Sequence, residues 1–369
     1  MRLTKHDLGN DVNGFLQGVT ESSKVVEMAQ RRPTQADVAR AAGVSVATVS
    51  YVASGRRDRK NPATPEIVER VRAAMRELDY TPARAGRVLA RNRTGLIAVV
   101  AGGMSNPWTY RVIGELEQVA ADHDLSVVIL RHQPTAGSSE RIEGHLLEGL
   151  ADAAVVIGGS VLDPRLLHRI GRRIPLLAMS DNIRPRGFDV MVQHEEAASR
   201  LAGEHLLRLG VRRPAFLLHG HTPGERQPRL EGFVSAFVDH GYDRDSILIA
   251  EDDDRVFAGF LDARHVATGL LEQPKRRRPD AIMTHSDRAA ISVVWAATQL
   301  GISIPDELRV IGAGNIPEGA ALSPALTTVG SEIDAFRPLF ERLISRIDRP
   351  ELRTRTLSVP WELIIRESA

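Results

Sequence analysis

Thr34-Gln35-Ala36-Asp37-Val38-Ala39-Arg40-Ala41-Ala42-Gly43-Val44-Ser45-Val46-Ala47-Thr48-Val49-Ser50-Tyr51-Val52-Ala53 reads as two short helices on either side of a tight turn. Thr34 and Asp37 have capping-box spacing, with the acid favourably placed near a helix start. Val38, Ala39 and Ala42 give the first helix a small apolar face, and Gly43 supplies a turn residue free to take positive φ. Ser45 then offers the N-cap of a second helix over about residues 46–53, with Val49 and Val52 on one face. A third start signal, Thr64-Pro65-Glu66, carries proline at the first helical position. Behind it Ile67, Val71, Ala74, Met75 and Leu78 keep helical spacing, so an amphipathic third helix closes the bundle.

This segment is basic and the rest of the chain is not. Residues 33–93 hold 12 Lys/Arg against 6 Asp/Glu, residues 1–32 hold 5 against 4, and residues 94–369 hold 31 against 37. Positive charge concentrated in some sixty residues is the imprint of a nucleic-acid-binding module joined to something else. Helix, glycine turn, helix is the helix-turn-helix arrangement, which holds the second helix proud of the surface so that its first residues reach base edges.

Asp37-Val38-Ala39, Ala42-Gly43-Val44-Ser45, Thr48-Val49-Ser50 and the later Leu78-Asp79-Tyr80-Thr81-Pro82 resemble the LacI/GalR family of bacterial transcription regulators. The resemblance implies a sequence-specific repressor that binds a pseudo-palindromic, double-stranded operator as a homodimer under the control of a small-molecule effector. Its DNA-contacting positions fall on Thr34, Ser45, Val46, Ala47, Thr48, Ser50 and Tyr51. Val46, Ala47 and Tyr51 are expected at base edges, and Ser45, Thr48 and Ser50 mainly at phosphates. Tyr51 departs from the arginine common there. Pro82-Ala83-Arg84-Ala85-Gly86-Arg87-Val88-Leu89-Ala90 resembles the family's hinge helix, with Arg84 and Arg87 toward DNA and Leu89 at the place of the leucine that enters the minor groove. Gly86, where alanine is common, costs about 1 kcal/mol of helix propensity. A plain linker is the alternative reading.

From Gly95 the chain alternates buried strands and helices. Residues 96–101, 126–130, 153–158 and 175–179 form one series of strands, and 215–218, 246–250, 280–283 and 308–311 form a second. Strand, helix, strand repeats imply parallel sheets. The expected fold is therefore α/β: an N-terminal three-helix helix-turn-helix domain followed by two doubly wound lobes. This resembles the periplasmic-binding-protein type I effector domain. The expected boundaries are 1–32, a disordered extension of which 1–27 have no DNA role; 33–81, the DNA-binding domain; 82–93, the hinge; and 94–369, the effector-binding and dimerisation domain. Ligands of such sheets bind beyond the strand C-termini, in the cleft between lobes.

Carried over from the family by position, Trp108 in Ser105-Asn106-Pro107-Trp108 is the stacking candidate. Arg229 in Arg229-Leu230-Glu231-Gly232-Phe233 matches an effector-contacting arginine. Asp287 in Ser286-Asp287-Arg288-Ala289-Ala290 matches an effector aspartate, or serves as a helix cap. Asn315 lies in a late loop of the same cleft. Gly314, Ser180 and Thr109 depart from frequent family residues, which makes a sugar, or a related metabolite, a less secure effector. Glu251-Asp252-Asp253-Asp254 reads as a solvated loop and Lys275-Arg276-Arg277-Arg278 as a surface turn.

Other classes are excluded by what they require. The chain of 369 residues has no cysteine, which removes disulfides and thiolate chemistry. Neither a phosphate-binding loop, a His-Glu-x-x-His site nor a Gly-x-Ser-x-Gly elbow occurs, so no catalytic, metal or cofactor residues are assigned and the chain is not read as an enzyme. A transport binding protein would share the two lobes but need a secretion signal and no DNA module. Without a signal peptide or a membrane-length apolar run, a cytoplasmic protein is expected.

Overall fold

A computed structural model describes residues 33–54, 64–81, 93–102, 107–133, 135–158, 162–219, 227–252, 263–332 and 334–369. The chain divides into two compact units between Thr94 and Gly95. Arg84, Arg87 and Leu89, expected in a hinge, and the expected extension 1–32 lie outside the described residues.

The first unit contains α1 (Gln35–Ala42), α2 (Val46–Ser54) and α3 (Pro65–Glu77). Its local signals act as expected. Thr34 caps α1, accepting from the Asp37 backbone N–H while the Asp37 carboxylate accepts from the Thr34 backbone. Gly43 ends α1 in the left-handed region at φ 61°, where a side chain would be strained. Ser45 Oγ accepts from Thr48 N at 3.1 Å at the start of α2. Val38, Ala39, Ala42, Val49, Val71 and Ala74 form the core, with Val52, Ile67, Met75 and Leu78 packed around it.

The second unit has two lobes, each built on a six-stranded sheet. The first sheet has the order β11-β5-β4-β3-β1-β2 and the second β12-β10-β9-β8-β6-β7. In chain order the first contains β1 (Leu96–Ala101), β2 (Ser126–Arg131), β3 (Ala153–Ile157), β4 (Leu176–Met179), β5 (Asp189–Val192) and β11 (Thr356–Ser358). The second contains β6 (Pro214–His219), β7 (Leu248–Asp252), β8 (Ala281–Thr284), β9 (Arg309–Ala313), β10 (Thr327–Gly330) and β12 (Glu362–Ile364). Every pairing is parallel except β10 with β12.

Helices cover both faces of each sheet, which is why the central strands are continuous apolar runs. On the first lobe α4 (Pro107–Asp122) and α12 (Arg337–Asp348) pack on one face, α5 (Ser138–Leu147) and α6 (Pro164–Gly171) on the other. On the second lobe α7 (Glu195–Arg208) and α8 (Pro228–Asp239) cover one face. The other carries α9 (Ala263–Leu271) and α10 (Asp287–Gln299), and the short α11 (Pro317–Ala320) follows β9.

The lobes are not consecutive in sequence, as the two strand series suggested. The chain crosses between them three times, after β5, after β10 and after β11, so that α12 and β11 return to the first lobe. The strand expected to begin at 246 starts at Leu248 instead, because Asp243 caps a short turn of helix over Arg244–Ser246.

Candidate nucleic-acid interface and inter-lobe cleft

On the first unit, Ser45, Val46, Ala47, Ser50 and Tyr51 are exposed on α2, while Thr48 is half-buried. Val46 is 46% and Tyr51 41% exposed, so both leave apolar area available to base edges and thymine methyls. The hydroxyls of Ser45 and Thr48 lie 2.9 Å apart and stiffen the first turn. Thr34 is half-buried in its capping box, so its hydroxyl already serves α1.

In the second unit the four effector candidates come together near the lobe crossings. Arg229, in the first turn of α8, donates from Nη1 to the His285 carbonyl at 2.6 Å and from Nη2 to Glu195 Oε1 at 2.7 Å. Its guanidinium lies 4.7 Å from the ring centroid of Trp361, on the crossing between β11 and β12. The pair exists because α7 and α8 touch backbone to backbone at Gly232: a Cβ there would sit 1.9 Å from the Glu196 carbonyl oxygen.

Asp287 is the first residue of α10, and the helix-cap alternative is corrected, because Ser286 caps the helix by accepting from Ala289 N. The Asp287 carboxylate, 1% exposed, turns inward and accepts from Thr328 Oγ1 at 2.5 Å and Ile316 N at 2.8 Å. Gly312 makes room for it, since a Cβ there would lie 2.1 Å from Oδ1. Gly314, at φ 130°, faces both Asp287 and the Trp108 Cβ. That φ is one that residues with a side chain rarely adopt, which accounts for glycine here.

Asn315 takes φ 53° and donates from Nδ2 to the Ser331 carbonyl at 3.0 Å, while its Oδ1 accepts from Arg366 at 2.6 Å. Trp108 packs against the cores of both lobes and meets Phe336 edge-on at 6.0 Å. Arg111, one turn along α4, donates to the Asn315 and Ser331 carbonyls and bonds Glu332, tying the first lobe to the end of β10. Burial pushes its neighbour Glu115 above the usual carboxylate range, and that carboxyl accepts from Phe336 N. Glu195, Trp361, Arg111 and Arg366 are the members of this constellation that sequence reading missed. A usable signal existed only for Trp361, one of three tryptophans, set beside a short C-terminal strand.

A cavity of 680 Å³ also opens beside the crossing after β5, lined by Asp181, His194, Arg200, Pro228, Ser235 and Thr356 among others. None of the four candidates lines it.

Burial raises the Asp287 carboxyl to about 6, against the lowering effect of its two hydrogen bonds. Between about pH 4 and 6 the native state therefore keeps a proton that the unfolded chain has lost. Stability from this group should fall as pH rises through that window and stay level above it. Asp287→Asn can still accept from Ile316 N and can donate to Thr328, so it should fold and lose that slope. Urea unfolding of both proteins across the window checks this, and identical slopes would remove Asp287 as the cause.

Comparison with known proteins places these features. Residues 34–83 match the bacterial regulatory proteins of the lacI family, and residues 204–369 match the periplasmic binding protein-like domain. The ribose operon repressor of Halalkalibacterium halodurans is 30% identical over 338 residues, covering 90% of this chain and 96% of that protein. The lac repressor dimer bound to operator and the anti-inducer ONPF superposes with a TM-score of 0.73 at 22% identity, over 92% of this chain and 99% of the other. A LacI family regulator from Enterococcus faecium with bound ribose gives 0.64 at 20% identity, over 74% and 98%. With its exposed α2 face and its two lobes joined by three crossings, the chain belongs to the LacI/GalR family of bacterial regulatory proteins, and is a sequence-specific DNA-binding transcriptional regulator and not an enzyme.

Proposed function

We propose that the protein is a homodimeric repressor whose operator affinity is set by a small, hydroxyl-rich metabolite held between the lobes. One observation carries this reading. Arg229, Asp287, Trp108 and Asn315 come from four separate segments, each following a strand C-terminus, and gather where three chain crossings join the lobes. A ligand there contacts both lobes and can bias their relation, the differential affinity that coupling requires. Ribose is named for both the H. halodurans relative and the E. faecium structure, which supports a sugar as the first class to test.

On DNA, Val46, Ala47 and Tyr51 read base edges while Thr34, Ser45, Thr48 and Ser50 set position on the backbone. Arg84, Arg87 and Leu89 of the segment 82–93 order in the minor groove. Without an arginine at 51, a bidentate guanine contact worth roughly 1–3 kcal/mol is missing, so the half-site should differ from that of typical relatives.

Operator sites selected from random DNA should be pseudo-palindromic. Fluorescence anisotropy on such a site, with pentoses and hexoses added, tests the cleft. Arg229→Lys keeps a cation beside Glu195 but loses the planar fork, so it should shift the sugar response at least about tenfold while leaving sugar-free operator affinity unchanged. An unaltered sugar dose response would show that Arg229 serves only to join α7 and α8.

A further inference from the structure

Parallel strands are ordinarily joined through a helix, yet β4 and β5 are joined by residues 180–188 without one. That connection is laid along α6 and pinned to it. His168 Nδ1 lies 2.7 Å from the Arg186 carbonyl oxygen, and a Cβ at Gly171 would sit 2.9 Å from the Gly187 carbonyl oxygen. Between helix and connection is a cavity of 560 Å³, a size common among small-ligand sites. It shares no lining residue with the 680 Å³ cavity and none with the cleft candidates. It also lies on the sheet face covered by α5 and α6, whereas Trp108 packs on the other.

The charge around this groove is out of keeping with its surroundings. Residues 94–369 carry more acids than bases, but Arg165, Arg169, Arg172, Arg173, Arg184 and Arg186 crowd into one stretch with only Asp163 and Asp181 for balance. Both acids are engaged with backbone. Asp163 accepts from Arg165 N, and Asp181 accepts from Gln193 N and Glu195 N. Glu143 holds Arg169 through two N–H donors. Arg165, Arg184 and Arg186 are exposed residues of the groove lining and have no ion pair among the described residues. Ile183 and Phe188 supply an apolar floor beneath them.

We propose that this groove is a second ligand site, for an organic phosphate. Three arginines around one cavity, each exposed and able to swing its guanidinium to a ligand, suit a dianion with three terminal oxygens, because each fork can donate two parallel N–H bonds to it. The apolar floor takes the organic body and distinguishes the ligand from free phosphate. Mutual repulsion among the three arginines is relieved when the dianion enters.

Calorimetric titration of the full chain with phenyl phosphate, inorganic phosphate and phenol tests the proposal. Phenyl phosphate should bind, inorganic phosphate more weakly, and phenol not measurably. The Arg184→Ala/Arg186→Ala double variant should lose about 100-fold in affinity at an unchanged melting temperature, from two charge-assisted contacts. Arg165→Ala alone should lose about tenfold. Arg172→Ala/Arg173→Ala removes the same charge outside the groove and should change affinity by less than about twofold. No heat with phenyl phosphate at about 10 mM, beyond the weak end of specific binding, overturns the proposal. So does an equal loss in the Arg172/Arg173 variant. A shallower salt dependence of operator binding in the Arg184/Arg186 variant, with phenyl phosphate unaffected, assigns the arginines to DNA instead.

Discussion

Operator affinity should fall about 10³–10⁵-fold when salt rises from about 50 to about 200 mM, the response expected for some 6–10 neutralised phosphates. The expected source of that sensitivity is residues 33–93, with 12 basic against 6 acidic side chains, because residues 1–32 are nearly balanced and residues 94–369 carry more acids than bases. Each phosphate met by Lys or Arg releases condensed counterions, and the cost of recovering them rises with bulk salt. The base-edge contacts proposed for Val46, Ala47 and Tyr51 should add little to this slope, since apolar and neutral groups displace few ions. Anisotropy titrations on selected operator DNA at several salt concentrations measure it. A nearly flat response would mean that the basic segment is not the binding surface. Replacing Tyr51 by alanine should weaken binding by a similar factor at every salt concentration, leaving the slope in place.

Gly232→Ala should be the most damaging single methyl group in the second unit. The added carbon would lie 1.9 Å from the Glu196 carbonyl oxygen, 2.8 Å from its carbon and 3.0 Å from the Glu196 Cα. All three atoms belong to the backbone of α7, so no side chain can swing aside and the two helices must part. Overpacking of this kind costs about 3 kcal/mol or more, at the upper end of the usual range. In a unit of this size that corresponds to a drop of roughly 6–12 °C in melting temperature. The displacement also draws Arg229, one turn earlier on α8, away from Glu195 at the start of α7. Thermal unfolding by calorimetry should therefore show the second unit's transition moved down while the sugar response weakens in parallel. An unshifted transition would show that α7 and α8 can separate freely, and would undercut the account of how Arg229 is positioned.

What the sequence made legible is what acts locally. The capping box at Thr34 and Asp37, the left-handed Gly43, the Ser45 cap and proline at the start of α3 each work within four residues, and each stands where the pattern put it. The apolar runs of β1, β3 and β4 were equally plain, because a strand buried on both faces admits almost nothing else. Two kinds of information were out of reach. Thr356-Leu357-Ser358 and Glu362-Leu363-Ile364 are three-residue strands with no usable period, and they become strands by adding to existing sheet edges. Partnerships were the other: nothing near Arg229 names Glu195, 34 positions earlier, or Trp361, far downstream. Family resemblance located the arginine but not the carboxylate and the ring that orient it. Asp287 shows the intermediate case, a position singled out by family resemblance whose helix-cap alternative fell to the neighbouring serine.

The three crossings bear on how the chain can be made. During synthesis a domain is ordinarily finished once its last residue clears the ribosome, and N-terminal domains fold first. Here the first lobe lacks Phe336, Phe340 and Leu343, which complete one side of its core, until residues well past the second lobe's β10 have been added. The second lobe in turn waits for Trp361 and the edge strand β12. The two are completed almost together, so a nascent chain of some 330 residues has both sheets largely present and one face of the first covered by α4 alone. Final assembly of the two lobes is thus a late event, timed by the emergence of residues 336–364.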